Sequence, residues 1–358
     1  NVSASADGGI YQTVAIVKDG RGGRQTVNFS QPVKARFMRI ETVAKINPEW
    51  GISIWELEVY GPAAGNPQAR PLAEASTKLA AQIAAPKKLV REKPFEKAGE
   101  LTFLEIQRGV VLASYSDTEL AGPECDQTLK YLAGIGVGEI SLVMTWYQEK
   151  QDSEIIAPVI EGGNTAREEA VIHAINEAHR NGLKVMLKPH VDSLDGTFRG
   201  NLVASDAWFK SYQKYILHFA AIAEEYRVEL FCIGCELENA SFDHWKQPWE
   251  ELIAQVRKVY RGKLTYAANW TEYESVCFWD KMDFIGIDAY FPVTQKPDPT
   301  QEELNKGWRA NLDKIAAWRT SKKLSAPLIF TEIGYQSADG TNITPWQTGS
   351  SQEDQQEQ

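Results

Sequence analysis

The chain has 358 residues, 43% of them hydrophobic and 24% charged, with a formal net charge of −10. That length suits one large domain plus something smaller. The acidic balance, without a basic stripe, excludes nucleic acid as the expected partner, and a neutral ligand is unaffected by it. No apolar run approaches the roughly 20 residues that cross a bilayer, so no membrane span is expected. Four cysteines (Cys125, Cys232, Cys235, Cys277) are too few for a disulfide scaffold. Cys232 and Cys235 have CxxC spacing, but in a strand that odd spacing sends the side chains to opposite faces, which disfavours a shared bridge or metal.

Residues 1–61 read as short β segments. Ala35-Arg-Phe-Met-Arg-Ile-Glu-Thr and Ile54-Trp-Glu-Leu-Glu-Val-Tyr alternate with period two, so Trp55, Leu57 and Val59 share a face. With Gly51 and Gly61 around the second run, this resembles the end of a discoidin-type (factor 5/8 C-type) domain, a sandwich shared by family 32 carbohydrate-binding modules. The resemblance covers the last half of such a domain, so the chain is expected to begin part-way through it. Residues 62–100, rich in Ala, Pro and Lys, read as a linker with one short helix at 72–84.

From residue 101 to 358 apolar strands alternate with amphipathic helices, the pattern of a parallel (β/α)8 TIM barrel. The expected strands are Gln107–Tyr115, Glu139–Tyr147, Lys184–Val191, Leu230–Leu237, Leu264–Trp270, Met282–Tyr290 and Pro327–Gly334. Before the third strand, Thr165 and Glu168 have capping-box spacing, Val171, Ile175 and Ala178 recur on one face, and Gly182 closes the helix. The longest helix is expected at 206–225. After Tyr335 only a polar tail remains, so the eighth unit is expected to be missing from this chain.

In such a barrel the active site lies at the C-terminal strand ends. The residues found there are Tyr115, Trp146, Tyr147, His190, Asp192, Glu236, Glu238, Asn269, Trp270, Asp288, Tyr290, Glu332 and Tyr335. Carboxylates, amides and aromatics converge on one mouth. The stretch from Gly134 to Gly138 has no helix start after it and reads as a turn rather than a phosphate cradle. No metal or organic cofactor is expected. Glu236 and Glu332 each end a strongly apolar strand, where a charge is costly unless it faces a polar cavity. They fall on the fourth and seventh strands, opposite walls of a barrel, and a facing pair of carboxylates is what glycoside cleavage requires. Each glutamate taken alone is as well explained as a loop residue or ion-pair partner. Glu238, two positions further on the same face, is the local rival of Glu236.

Glutamates ending strands four and seven are the hallmark of clan A glycoside hydrolases. Within that clan, residues 107–337 resemble family 113, the β-mannanase family. The resembling pieces are Arg108-Gly-Val-Val, Leu187-Lys-Pro-His-Val-Asp, Ile233-Gly-Cys-Glu-Leu-Glu, Phe284-Ile-Gly-Ile-Asp-Ala-Tyr-Phe-Pro and Phe330-Thr-Glu-Ile-Gly-Tyr. The resemblance implies a retaining hydrolase of β-1,4-mannan with Glu236 as acid/base and Glu332 as nucleophile. Most clan members place Asn before the acid/base to bind the sugar 2-hydroxyl. Cys235 stands there in this chain, which agrees with family 113 and makes Asn269 the candidate substitute. Trp146, His190, Asp192, Glu238, Asn269, Trp270, Asp288, Tyr290 and Tyr335 are the candidate contacts to a polysaccharide or oligosaccharide. For any one Trp, core burial is an equally good explanation, and a lone His near a strand end is more often structural. The expected location is outside the cell or on its surface. The alternatives are another clan A β-glycosidase acting on glucan or oligosaccharide, a non-catalytic carbohydrate-binding protein, and an aldolase using Lys188 as a Schiff-base nucleophile.

Overall fold

The computed structural model describes residues 2–5, 12–15, 37–40, 91–94, 107–160, 164–338 and 340–347. The chain divides into two compact units, Asn1–Lys78 with Gln347–Ser351, and Leu79–Trp346 with Gln352–Gln358. In the first unit β1 (Val2–Ser5) pairs antiparallel with β2 (Gln12–Ala15) on one side and β3 (Phe37–Ile40) on the other. The alternating run at 54–60 and the helix expected at 72–84 lie outside the described residues.

The second unit is a parallel sheet whose strands pair in sequence order: β4 (Gly109–Ala113), β5 (Glu139–Gln148), β6 (Lys184–Ser193), β7 (Leu230–Cys235), β8 (Lys263–Asn269), β9 (Ile285–Asp288) and β10 (Leu328–Glu332). Helices α1 (Pro123–Gly134), α2 (Glu168–Arg180), α3 (Asp206–Glu225) and α4 (Lys246–Val259) follow β4 to β7, and α5 (Gln301–Lys322) follows β9. Strictly sequential parallel pairing with a helical return after most strands is the wall of a (β/α)8-type barrel. No eighth strand joins β4 or β10 among the described residues.

The 3.6-residue period of α3 explains its place. Ser205 caps it by accepting from the Trp208 N–H, and Trp208, Tyr212, Tyr215, Phe219 and Ile222 bury one stripe against the sheet. Trp208 stacks on Tyr212 at 4.7 Å, and Trp249 of α4 stacks on Phe278 at 4.4 Å. Truncating a buried Trp such as Trp249 to Ala costs roughly 3–5 kcal/mol, so this aromatic layer holds the helices on the barrel.

Two local expectations are corrected. The capping box at Thr165 does not form, because its hydroxyl accepts from the Val159 N–H and donates to the Thr145 carbonyl. The box forms instead at Thr300 and Glu303, opening α5. Nor do Cys232 and Cys235 diverge. The pairing of β7 with β8 slips between them, and both thiols join Ala267 in one small buried cluster, unbridged. A bulge adds the half-period that strand alternation lacks.

Candidate active site

Strand ends bring one cluster together. Glu236 follows the last residue of β7 with φ +51°, a left-handed conformation that costs a non-glycine residue on the order of 1–2 kcal/mol. Its N–H donates to the Ala267 carbonyl at 2.8 Å. Asn269 Nδ2 donates to Oε1 at 3.0 Å and Arg199 Nη1 to Oε2 at 3.1 Å. Burial raises the carboxyl's pKa to about 7, and the negative charges of Asp288 and Glu332 add to the rise while Arg199 opposes it. Glu236 therefore holds a proton over much of the neutral range.

Glu332, the last residue of β10, differs. Tyr290 donates to its Oε2 at 2.9 Å and the Lys188 ammonium bonds Oε1. Burial alone would favour the acid form, but Lys188 and these hydrogen bonds outweigh it and hold Glu332 below the ordinary glutamate range. Lys188 is fully buried on β6. It also bonds both oxygens of Asp288 at 3.1 and 3.2 Å. Burial works against its charge, yet the carboxylates of Asp288 and Glu332 push its pKa well above the ordinary lysine value. An ammonium held protonated by two carboxylates is not the free amine that a Schiff-base nucleophile needs.

Asp288 also accepts from the Thr331 hydroxyl at 2.7 Å and the Cys235 thiol at 3.3 Å. Asp192 takes Arg199 Nε and Nη2, each at 2.8 Å from Oδ1. His190 Nε2 stands 4.0 Å from Glu332, and neither ring nitrogen has a hydrogen-bond partner among the described residues. Burial, with Arg199 and Lys188, pushes the His190 pKa well below its ordinary value, so the ring is neutral.

Other expected residues lie outside this cluster. Trp146 turns to the helix layer and stacks on Tyr215 of α3 at 4.7 Å. Tyr147 faces the other way, in register with Asp192, and its hydroxyl donates to the Asn164 carbonyl at 3.3 Å. Glu238 is partly exposed and accepts from the Thr271 hydroxyl at 2.9 Å. Trp270 stacks on Trp346 at 5.1 Å, and Tyr335 donates to the Phe291 carbonyl at 2.8 Å. Asn269 belongs to the cluster: its Nδ2 donates to Glu236 and its Oδ1 accepts the Thr271 N–H, so it supports Glu236. Arg199 gave no sequence signal, because its partners on β6 and β7 are reached only through the fold.

Two donor groups, His190 with Cys235 and Glu332, and Cys235 with Glu236 and Asp288, place ligand atoms within 4.8 Å of one another. Their chemistry suits no metal as it stands. Lys188 and Arg199 already occupy the carboxylates, and burial keeps the Cys235 thiol protonated.

A polar mouth with paired carboxylates on the fourth and seventh strands of a parallel barrel defines the class of barrel glycoside hydrolases. The model of Glycoside Hydrolase Family 113 matches residues 114–358, and the chain belongs to that family. Among solved structures, one of a complex of a GH113 β-1,4-mannanase is 28% identical, with TM-score 0.62, over 71% of this chain and 81% of that one. The GH113 β-mannanase of Alicyclobacillus acidocaldarius, solved with ManMIm, is 29% identical, with TM-score 0.59, over 68% of this chain and 76% of that one. No curated protein matches the chain.

Proposed function

We propose that this family 113 enzyme hydrolyses β-1,4-mannan with retention, Glu332 acting as nucleophile and Glu236 as acid/base. The observation that carries the reading is the opposite ionisation of the two strand-end carboxyls, Glu236 near 7 and Glu332 below its ordinary value. In the first step a Glu332 oxygen attacks the anomeric carbon while Glu236 gives its proton to the departing glycosidic oxygen. The glycosidic bond breaks and a glycosyl ester forms. Water then attacks the same carbon, Glu236 takes its proton, and Glu332 leaves as carboxylate. Lys188 and Tyr290 keep the nucleophile charged and aimed. His190 stands neutral and buried beside Glu332, its Nε2 4.0 Å from Oε1. Similarity to β-1,4-mannanases supports mannan over glucan. The discoidin-like pattern of residues 1–61 supports an accessory carbohydrate-binding role for that region.

The decisive test is stereochemical. An NMR time course of mannooligosaccharide cleavage is expected to show β-product first. Glu332→Gln is expected to lose nearly all turnover. Glu236→Ala with azide is expected to convert an activated aryl β-mannoside into β-mannosyl azide. A first-formed product of inverted configuration refutes the assignment, as does full activity in Glu332→Gln. Equal or better hydrolysis of glucan would replace the substrate and leave the carboxylate roles intact.

A further inference from the structure

Glu272 lies just beyond β8, only 2% exposed, and no cation pairs with it among the described residues. Burial raises its pKa to about 8. A buried carboxyl with no cation beside it is expensive, and hydrogen bonds from Ser241, Tyr266 and the Asn269 backbone offset that cost. Its contacts lead to Glu236 by two routes. Glu272 Oε2 accepts the Asn269 N–H at 2.9 Å, and Asn269 Nδ2 donates to Glu236 Oε1 at 3.0 Å. Because Asn269 Oδ1 is taken by Thr271, its amide can present only the donor to Glu236. On the second route Glu272 Oε1 accepts the Tyr266 hydroxyl at 2.6 Å, and that same oxygen of Tyr266 accepts the Leu237 N–H at 2.8 Å. Leu237 directly follows Glu236, whose backbone is left-handed. The Tyr266 ring lies close against Gly234, where any Cβ would stand 2.9 Å from it.

Resting on the acid/base reading of Glu236, we propose that Glu272 is a positioning residue that holds Glu236 through Asn269 and Tyr266. Four contacts grip the left-handed corner, and two of them pass through this one carboxyl: the Glu236 side chain through Asn269, and the following N–H through Tyr266. The other two, Glu236 N–H to Ala267 and Arg199 to Glu236 Oε2, are independent of it. Loss of Glu272 leaves the acid/base present but poorly aimed at the departing oxygen.

The test separates proton donation from everything else. kcat/KM, which reports the glycosylation step, is measured on β-1,4-mannopentaose and on 2,4-dinitrophenyl β-mannobioside, whose phenolate departs without a proton. Glu272→Gln and Tyr266→Phe are each expected to lose about 10–100-fold on the pentaose and almost nothing on the activated glycoside. Melting curves check that each variant is folded. If Glu272→Gln does not fold, Tyr266→Phe decides, since it removes one oxygen and keeps the ring. Equal losses on both substrates, or none on either, overturn the proposal. Glu236→Gln, run alongside, must show the same selectivity. If it does and the other two variants do not, the positioning role alone fails. If it does not, the acid/base reading fails and takes the proposal with it.

Discussion

Replacing Glu236 by Gln is expected to make the protein more stable at pH 8 and slightly less stable at pH 4. The folded carboxyl titrates near 7 against an ordinary value of 4.5. Between those values the folded state binds more protons than the unfolded chain, so stability falls as pH rises through this window. A raise of 2.5 units, from 7 minus 4.5, corresponds to on the order of 3 kcal/mol above pH 7 and nothing below pH 4. Gln mimics the protonated form and escapes that cost. It also loses a good acceptor for Arg199, which offsets roughly 1 kcal/mol at every pH. The net expectation is a gain of about 2 kcal/mol at pH 8 and a loss of about 1 kcal/mol at pH 4. Urea unfolding of both proteins at the two pH values measures the difference, from which other titrating groups cancel. A variant that is destabilised equally at both pH values refutes the reasoning, because Glu236 would then carry no stored charge penalty.

Arg199→Met removes the cation that restrains Glu236, so the alkaline limb of the kcat/KM profile is expected to move up by about one pH unit. An unchanged limb would show that Arg199 acts on Asp192 alone. The segment Arg91–Pro94 is tied to the barrel helices: Arg91 pairs with Glu168 and Glu225, Glu92 with His173 and Arg180, and Tyr226 donates to the Glu92 carbonyl. These pairs are partly exposed and worth roughly 0.2–1 kcal/mol each. A chain beginning at residue 95 is therefore expected to unfold about 1–3 kcal/mol more easily than one beginning at 85, with the same kcat. Equal urea midpoints would show that the segment contributes nothing.

What the sequence made legible was whatever one strand carries by itself. An apolar run followed by a single carboxylate located Glu236 and Glu332, and the same rule located Asp288 and Asn269. It failed where a neighbouring strand decides the outcome. Alternation says that Trp146 and Tyr147 face opposite ways, but not which of them faces the barrel interior. Register supplies that: Tyr147 pairs with Asp192 and Thr145 with His190, so Tyr147 shares their side and Trp146 goes to the helices. The slip between Cys232 and Cys235 is likewise a property of two strands. Lys188 was visible, but its two carboxylate partners, 100 and 144 residues away, were not.

The same distinction explains how two carboxyls, each touching a cation, come to ionise oppositely. Lys188 sits against Glu332, and Tyr290 adds a neutral donor on the other oxygen. Arg199 sits against Glu236, but two of its nitrogens are already spent on Asp192 at 2.8 Å, so part of its charge is neutralised before it reaches Glu236. Glu236 is also the more enclosed of the two side chains, 10% exposed against 15%, and it feels both Asp288 and Glu332 as like charges. Asp288 and Glu332 also repel one another, and the Lys188 ammonium bonded to both offsets that repulsion. One cation is shared between a carboxylate at the mouth and a buried one, the other between Glu236 and Asp192 at the end of β6. The proton is left on Glu236 because Lys188 bonds Glu332 and Asp288 directly and reaches Glu236 only as a weaker, more distant charge.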